Sequence, residues 1–350
     1  MTDLDEQIVR TLRERAEGTV DTDRLTARAV AGGKTRRRRR RVGAGVTVGL
    51  VAVLGFTVAT GTGLLQRVRP PGSAAPAAAT AAPPRLDGIQ GAAARPDLVG
   101  TDPRVLHFGM DPARVRHLRW GVGSGVESVQ VDVGAGPAVS VQLSASAAGL
   151  RRGVDGPQGQ DAGLSVEDAF DGTDRPHREA GRTTTTWIRL WQPVPGLYAR
   201  AAVTATTARG IDDAVGALRL DEARRCATPA RLTTLPTGAR VSGCTVDVAA
   251  FPEAVTASLQ VEGTGGKQMK IAFQYAHSIE AGRTIGNRTI GGRSAYLYPQ
   301  GGQLELLGIP KAHLIANFGW PYEGFTEADA AVVLGGAQVA ADPADPQSWG

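Results

Sequence analysis

The first strong pattern along the chain is a run of 24 uncharged residues, Val42 to Leu65, directly after six arginines. A helix of this length rises by roughly 36 Å, enough to cross the ~30 Å hydrocarbon core of a bilayer. The pattern therefore predicts a membrane-spanning helix at 42–65. A cleaved signal peptide is the alternative, but it has a shorter apolar stretch and a cleavage site of small residues. Here the charged segment "LLQRVRP" follows instead.

The charges that flank this segment predict its orientation. Arg36 to Arg41 precede the apolar run, whereas only Arg67 and Arg69 follow it closely. Positive residues are retained on the cytoplasmic side of a span, so we expect the N-terminus in the cytoplasm and the C-terminal part outside. Membrane lipid is the partner that this arrangement implies.

Residues 1–41 form the predicted cytoplasmic tail. Apolar residues recur at every fourth position from Leu4 to Leu12, which predicts a short amphipathic helix. Such a helix can dock onto a cytoplasmic partner or lie at the membrane, and a solvated stalk is the alternative. The layout is similar to that of transmembrane anti-sigma factors. No histidine precedes His107 and no cysteine precedes Cys226, which excludes the zinc-binding version of that tail.

The remaining chain divides by composition into a linker and a folded region. Residues 66–100 are rich in Ala and Pro, which is typical of an extended spacer. Residues 123–137 match residues 238–252 at 7 of 15 positions without a gap, and the segments 187–218 and 303–334 are also similar. We therefore expect two tandem copies of one domain, at 101–222 and 223–342, followed by a short tail at 343–350.

Each predicted copy combines strands with one late helix. The segment "QMKIAFQY" alternates apolar and polar residues, as a strand with one buried face does. The segments "GIDDAVGALRL" and "GFTEADAAVVLGG" place apolar residues at helical spacing after an acidic first turn. The predicted fold class is α+β: one transmembrane helix, then two repeated domains, each an antiparallel sheet with a late packed helix.

The chain has two cysteines, Cys226 and Cys244, and both belong to the second predicted copy. In an oxidising compartment they are expected to form a disulfide, with two free thiols as the alternative.

The search for chemistry yields a candidate surface and no catalytic constellation. The five histidines share no metal-ligand spacing, so we expect no metal, no cofactor and no enzymatic activity. Two aromatic residues flank an arginine on one predicted strand, an arrangement that can stack a flat ligand or pack in a core. Two more aromatics lie in a second loop that could line a groove between the copies. The candidate residues are Trp187, Arg189, Trp191, Trp320 and Tyr322.

Charge argues against nucleic acid as a partner. Residues 1–41 hold twelve basic and seven acidic residues, a net charge of +5, which equals that of the whole chain. Residues 42–350 therefore hold 27 of each sign, and a nucleic-acid-binding surface would need a basic surplus.

The layout resembles a type of envelope protein from high-GC actinobacteria. Four lysines stand against 35 arginines, six arginines precede the apolar run, and an Ala/Pro stalk leads to a β-rich part. The resemblance implies a place in the cell membrane and no activity. We expect an extracytoplasmic binding domain with a protein or cell-envelope partner. A zinc-free anti-sigma regulator and a membrane-anchored hydrolase are the alternatives.

Overall fold

The computed structural model describes residues 80–134, 136–151, 169–177, 183–279 and 283–350. The predicted span at 42–65 and the predicted tail helix lie outside these residues. Within the described ranges, no helix is long and apolar enough to cross a membrane, and strands dominate. The predicted fold class, a membrane helix followed by two separate α+β domains, is wrong, and the structure gives the description as a membrane protein no support.

Twenty strands and three short helices make up the regular structure of the described chain. The strands are β1 Arg85–Leu86, β2 Val105–Leu106, β3 Gly109–Met110, β4 Arg116–Gly123, β5 Val126–Asp132, β6 Val139–Ser144, β7 Asp171–His177, β8 Thr186–Val194, β9 Leu197–Thr204, β10 Leu218–Arg219, β11 Ala223–Arg225, β12 Ala230–Leu232, β13 Arg240–Asp247, β14 Ala254–Glu262, β15 Gln268–Ala276, β16 Arg288–Ile290, β17 Arg293–Leu297, β18 Gln303–Leu306, β19 Ala312–Asn317 and β20 Ala337–Val339. The α-helices are α1 Ala147–Arg151, α2 Ile211–Gly216 and α3 Glu327–Gly335, and 3-10 turns lie at Pro96–Leu98, Thr264–Gly266 and Pro346–Ser348.

Thirteen of these strands form one sheet, in the order β16-β17-β18-β19-β15-β14-β13-β4-β5-β6-β9-β8-β7. All neighbours are antiparallel, including β4 and β13 at the centre, where the register runs from Gly243 opposite Gly123 to Asp247 opposite Arg119. Two separate domains would leave β4 and β13 as open edges with unpaired backbone groups. Pairing these edges satisfies both, and the two halves become a single sheet.

The matched segments 123–137 and 238–252 do not occupy equivalent positions. The first contains β5, the second strand from the centre, whereas the second contains β13, the central strand itself. Alternating valine and polar residues recur in any strand with one buried face, so the match reports strand character and not position. Within the matched segments, the later strands do hold corresponding places in the two halves: β8 corresponds to β18 and β9 to β19.

The core lies on one face of the sheet. Apolar side chains on alternate positions of the central strands pack there beneath α2, α3 and the segments before β4 and after β20. Trp120 of β4 is fully buried at the centre, and its ring centroid lies 6.3 Å from that of Trp349 near the C-terminus. Each fully buried large side chain contributes about 1.5–3 kcal/mol to the stability of the fold. The buried residues come from strands on both sides of β4 and β13, so the core spans both halves of the sheet.

A disulfide joins Cys226, which follows β11, to Cys244 in β13. Both residues are buried, and Cys244 is the register partner of Val122 in β4. The bond fixes the connector between the two halves to the central strand.

A buried carboxylate holds the segment before β4 onto the sheet. Glu127 of β5 is fully buried, and its Oε1 accepts the backbone N–H of Gly100 at 2.8 Å. Its Oε2 accepts the backbone N–H of His107, and the His107 Nδ1 lies 2.6 Å from Oε1. A charge so deeply buried is tolerated because several donors satisfy it.

Glu127→Gln is expected to lower the free energy of unfolding by roughly 3 kcal/mol, because an amide group would point a donor at N–H groups that need an acceptor. Urea denaturation followed by circular dichroism measures the loss. Asp132→Asn is the matched control: Asp132 pairs with Arg116 at 3.1 Å on the surface, and its loss should cost under about 1 kcal/mol. Equal losses would contradict this role of Glu127.

Replacing both Cys226 and Cys244 with serine is expected to lower the free energy of unfolding by about 3 kcal/mol, since the bond closes a loop of 18 residues. The same denaturation experiment applies, and wild type kept reduced throughout should match the variant. A variant as stable as the oxidised wild type would contradict this prediction.

Candidate functional site

The predicted surface on β8 is occupied by the protein itself. Trp187 and Trp191 pack against the core, on the same face as Arg189. The Arg189 guanidinium donates to both carboxylate oxygens of Asp174 in β7, at 2.8 and 2.9 Å, and to Asp212 of α2 at 2.8 Å. The hydrogen bonds to Asp174 in particular raise the pKa of Arg189. Arg189 therefore joins β7, β8 and α2.

Trp320 and Tyr322 lie far from that strand. Both belong to the loop between β19 and α3, where Trp320 is 72% exposed and Tyr322 is half-buried. Burial raises the pKa of the Tyr322 hydroxyl. β19 and β8 are eight strand positions apart, about 38 Å at 4.8 Å per strand. The structure does not bring the five predicted residues together.

The face of the sheet opposite the main core, which we call the open face, is polar over its central strands and carries a second apolar cluster with Phe170, Ile188 and Leu190 at the β8–β9 end. Among the described elements, only α1 packs on it, against β6 and β9. Register partners share a face, so one row of side chains can be followed across seven strands. The row consists of small or hydrogen-bonding residues that are buried or half-buried: Arg200, Gln142, Ser128, Gly121, Thr245, Ser258 and Ala272.

Arg200 is a cation without a carboxylate partner among the described residues. Its guanidinium donates to the Gln142 Oε1 at 3.3 Å, and its buried Nε has no partner. Burial lowers the pKa of Arg200. Buried polar groups are normally paired, and an unpaired guanidinium fits an anion that arrives from outside the chain.

Lys270 is the corresponding cation in the other half of the open face. It lies opposite Gln260 in the register of β15 and β14. Burial lowers the pKa of the Lys270 amine, and the described part of the chain provides it with no carboxylate. Each half of the open face thus carries a cation beside a glutamine.

A histidine–glutamate pair lies on the open face at β18 and β19. The Nδ1 of His313 is 2.6 Å from the Oε1 of Glu305, a nearly buried carboxylate, and Tyr298 donates to the Glu305 Oε2 at 2.8 Å. Burial, assisted by that hydrogen bond, raises the pKa of Tyr298 to about 12. The pair fixes the imidazole and directs its Nε2 away from Glu305, where it can bind a ligand or accept a proton.

Tyr296 and Arg283 complete this cluster. The Arg283 guanidinium carbon lies 3.6 Å from the centre of the Tyr296 ring, and the Tyr296 and Tyr298 rings meet edge to face. Sequence reasoning missed both histidine–glutamate pairs, since separations of 8 and 20 residues match no motif. Tyrosines at alternate positions of a strand were the available signal.

His117, in β4, lies beside a cavity of about 270 Å³ near the ends of β4 and β5. The side chain is 5% exposed and its ring meets that of Trp120 edge to face. Burial, with a smaller effect of the nearby Arg224 charge, lowers the pKa of His117 to about 4. The imidazole is therefore neutral at pH 7.

The neutral state of His117 predicts a loss of stability in mild acid. The histidine of the unfolded chain, with a pKa near 6.5, binds a proton at a pH where His117 of the folded protein stays neutral. The contribution of His117 to the free energy of unfolding is therefore complete above pH 6.5 and is lost as the pH falls towards 4. Between pH 7 and pH 5, His117 should lower the free energy of unfolding by about 2 kcal/mol. His117→Leu should remove that part of the loss in urea denaturation at the two pH values. Equal losses in both proteins would contradict the assignment.

No protein-family model matches this sequence, and neither the curated proteins nor the solved structures yielded a match.

Proposed function

We propose that the described part of the chain is a binding domain for an acidic polysaccharide, which lies across the strands on the open face. The observation that carries the proposal is the pair of cation–glutamine sites, Arg200 with Gln142 and Lys270 with Gln260. Each offers a positive charge and an amide, a combination that suits a carboxylate next to hydroxyl groups.

The spacing of the two sites favours a polymer over a small molecule. β9 and β15 are six strand positions apart, about 29 Å at 4.8 Å per strand. Between them lie hydroxyl and glycine residues such as Ser128, Gly121 and Thr245. A chain that lies over this row can bond the hydroxyls and place a carboxylate at each end.

Other polymers fit the open face less well. An extended peptide binds by adding to a free sheet edge or by filling apolar pockets. The central strands are paired on both sides, and the row from Gln142 to Ala272 consists of polar or small side chains. Nucleic acid requires a basic surplus, and residues 42–350 are balanced in charge.

The disulfide supports an oxidising compartment as the place of action. Disulfides persist outside the cytoplasm, where extracellular polysaccharides are also found. The His313–Glu305 pair lies on the same face and adds an oriented imidazole to the proposed surface.

The test uses full-length protein and defined polymers. Polygalacturonate should bind in isothermal titration, while neutral dextran of equal length should not, and binding should weaken as salt is added. Arg200→Gln combined with Lys270→Gln should weaken polygalacturonate binding at least tenfold, because both charge-assisted contacts are lost. Ser258→Trp should have a similar effect by covering the centre of the face.

Arg104→Gln combined with Lys311→Gln is the matched control, since both residues are exposed and lie outside the open-face rows. This double variant removes the same charge as the test variant, and its affinity for polygalacturonate should stay within about twofold of the wild-type affinity. Equal binding of both polymers, or equal weakening by the control, would refute the proposal.

A further inference from the structure

The cavity beside His117 has a mixed lining. Buried apolar side chains, Ala81 and Val115 among them, form part of the wall together with the half-buried Val133. Arg116 and Asp132 lie at the polar part and pair with each other at 3.1 Å. A concave site that combines apolar walls with a few converging polar groups can hold a small molecule.

His117 is a polar side chain in this wall without a partner. More than nine-tenths of the residue is buried, and no described residue forms a hydrogen bond with either ring nitrogen. The nitrogens themselves are not fully enclosed by protein, so they can meet water or a ligand. The His117 ring contacts the Trp120 ring edge to face, and the cavity lies beside His117.

The charges around the cavity favour an anion. Arg114 and Arg116 line it together with a single acid, Asp132. Arg114 is held in place by the carbonyl of Gly216 at the end of α2, and the charge of Arg224 reaches His117. A cation would be repelled here, whereas a carboxylate can accept the N–H of the neutral imidazole.

We infer that this cavity binds a small monocarboxylic acid, with the carboxylate at His117 and the apolar body against Ala81, Val115 and Val133. A volume of about 270 Å³ lies just below the range of about 300–1,000 Å³ that drug-sized ligands occupy, which suits a short branched or aromatic acid. The site lies on the core side of the sheet and is independent of the polysaccharide proposal.

The test follows the His117 ring by nuclear magnetic resonance of full-length protein labelled in histidine, with His117→Leu identifying the signal. Benzoate, pivalate and hexanoate are the probes, and benzylamine is the cationic control. At least one acid should shift the His117 signal saturably and raise its pKa well above 4, because a bonded carboxylate stabilises the imidazolium. Benzylamine should leave it unchanged.

Ala113→Trp places a large ring at the exposed rim of the cavity without changing His117. It should weaken acid binding at least tenfold and preserve polysaccharide binding. Ala94→Trp, at an exposed alanine outside the lining, is the matched control and should bind like wild type. The inference is overturned if none of the acids moves His117, if benzylamine acts equally, or if Ala113→Trp binds as wild type does; water alone in the cavity would give the first result.

Discussion

The backbone pairing of β4 with β13 is the constraint on which the rest of the structure depends. It joins two groups of strands into one sheet through five register pairs, and the Arg119–Asp247 ion pair lies across it on the open face. Gly121 permits the close approach, because a Cβ there would come within 2.6 Å of the Cys244 carbonyl oxygen. Any larger residue would push the two strands apart, and both faces of the sheet would be divided.

This junction lets the two faces serve different purposes. On one face, Trp120 and its neighbours form a core that extends into both halves, so neither half is stabilised alone. The other face carries only a smaller apolar cluster near β8 and β9 and keeps a row of polar or small side chains across its central strands. Both proposals depend on this division: the polymer site uses the polar row on one face, and the small-molecule site uses apolar walls and His117 on the other.

Local patterns in the sequence were informative, whereas long-range pairing was not. "QMKIAFQY" became β15 with Met269, Ile271, Phe273 and Tyr275 buried, because side-chain alternation directly encodes which face is covered. The late helices α2 and α3 likewise formed where acidic first turns predicted them. Backbone hydrogen bonds between β4 and β13 carry no side-chain signature, so the single sheet could not be foreseen. The sequence did not predict the Arg200 and Lys270 sites either. Whether a cation has a carboxylate partner depends on which side chains the fold brings near it, and the local sequence does not show this.

The position of the disulfide has a consequence for the order of events during biosynthesis. Its two cysteines are only 18 residues apart, and 106 residues follow the second one. An oxidase can therefore close the bond as soon as both thiols have emerged, before β14 to β20 have been synthesised or exported. β13 would then already be fixed to the connector that follows β11, before β14 and β15 are available to pair beside it.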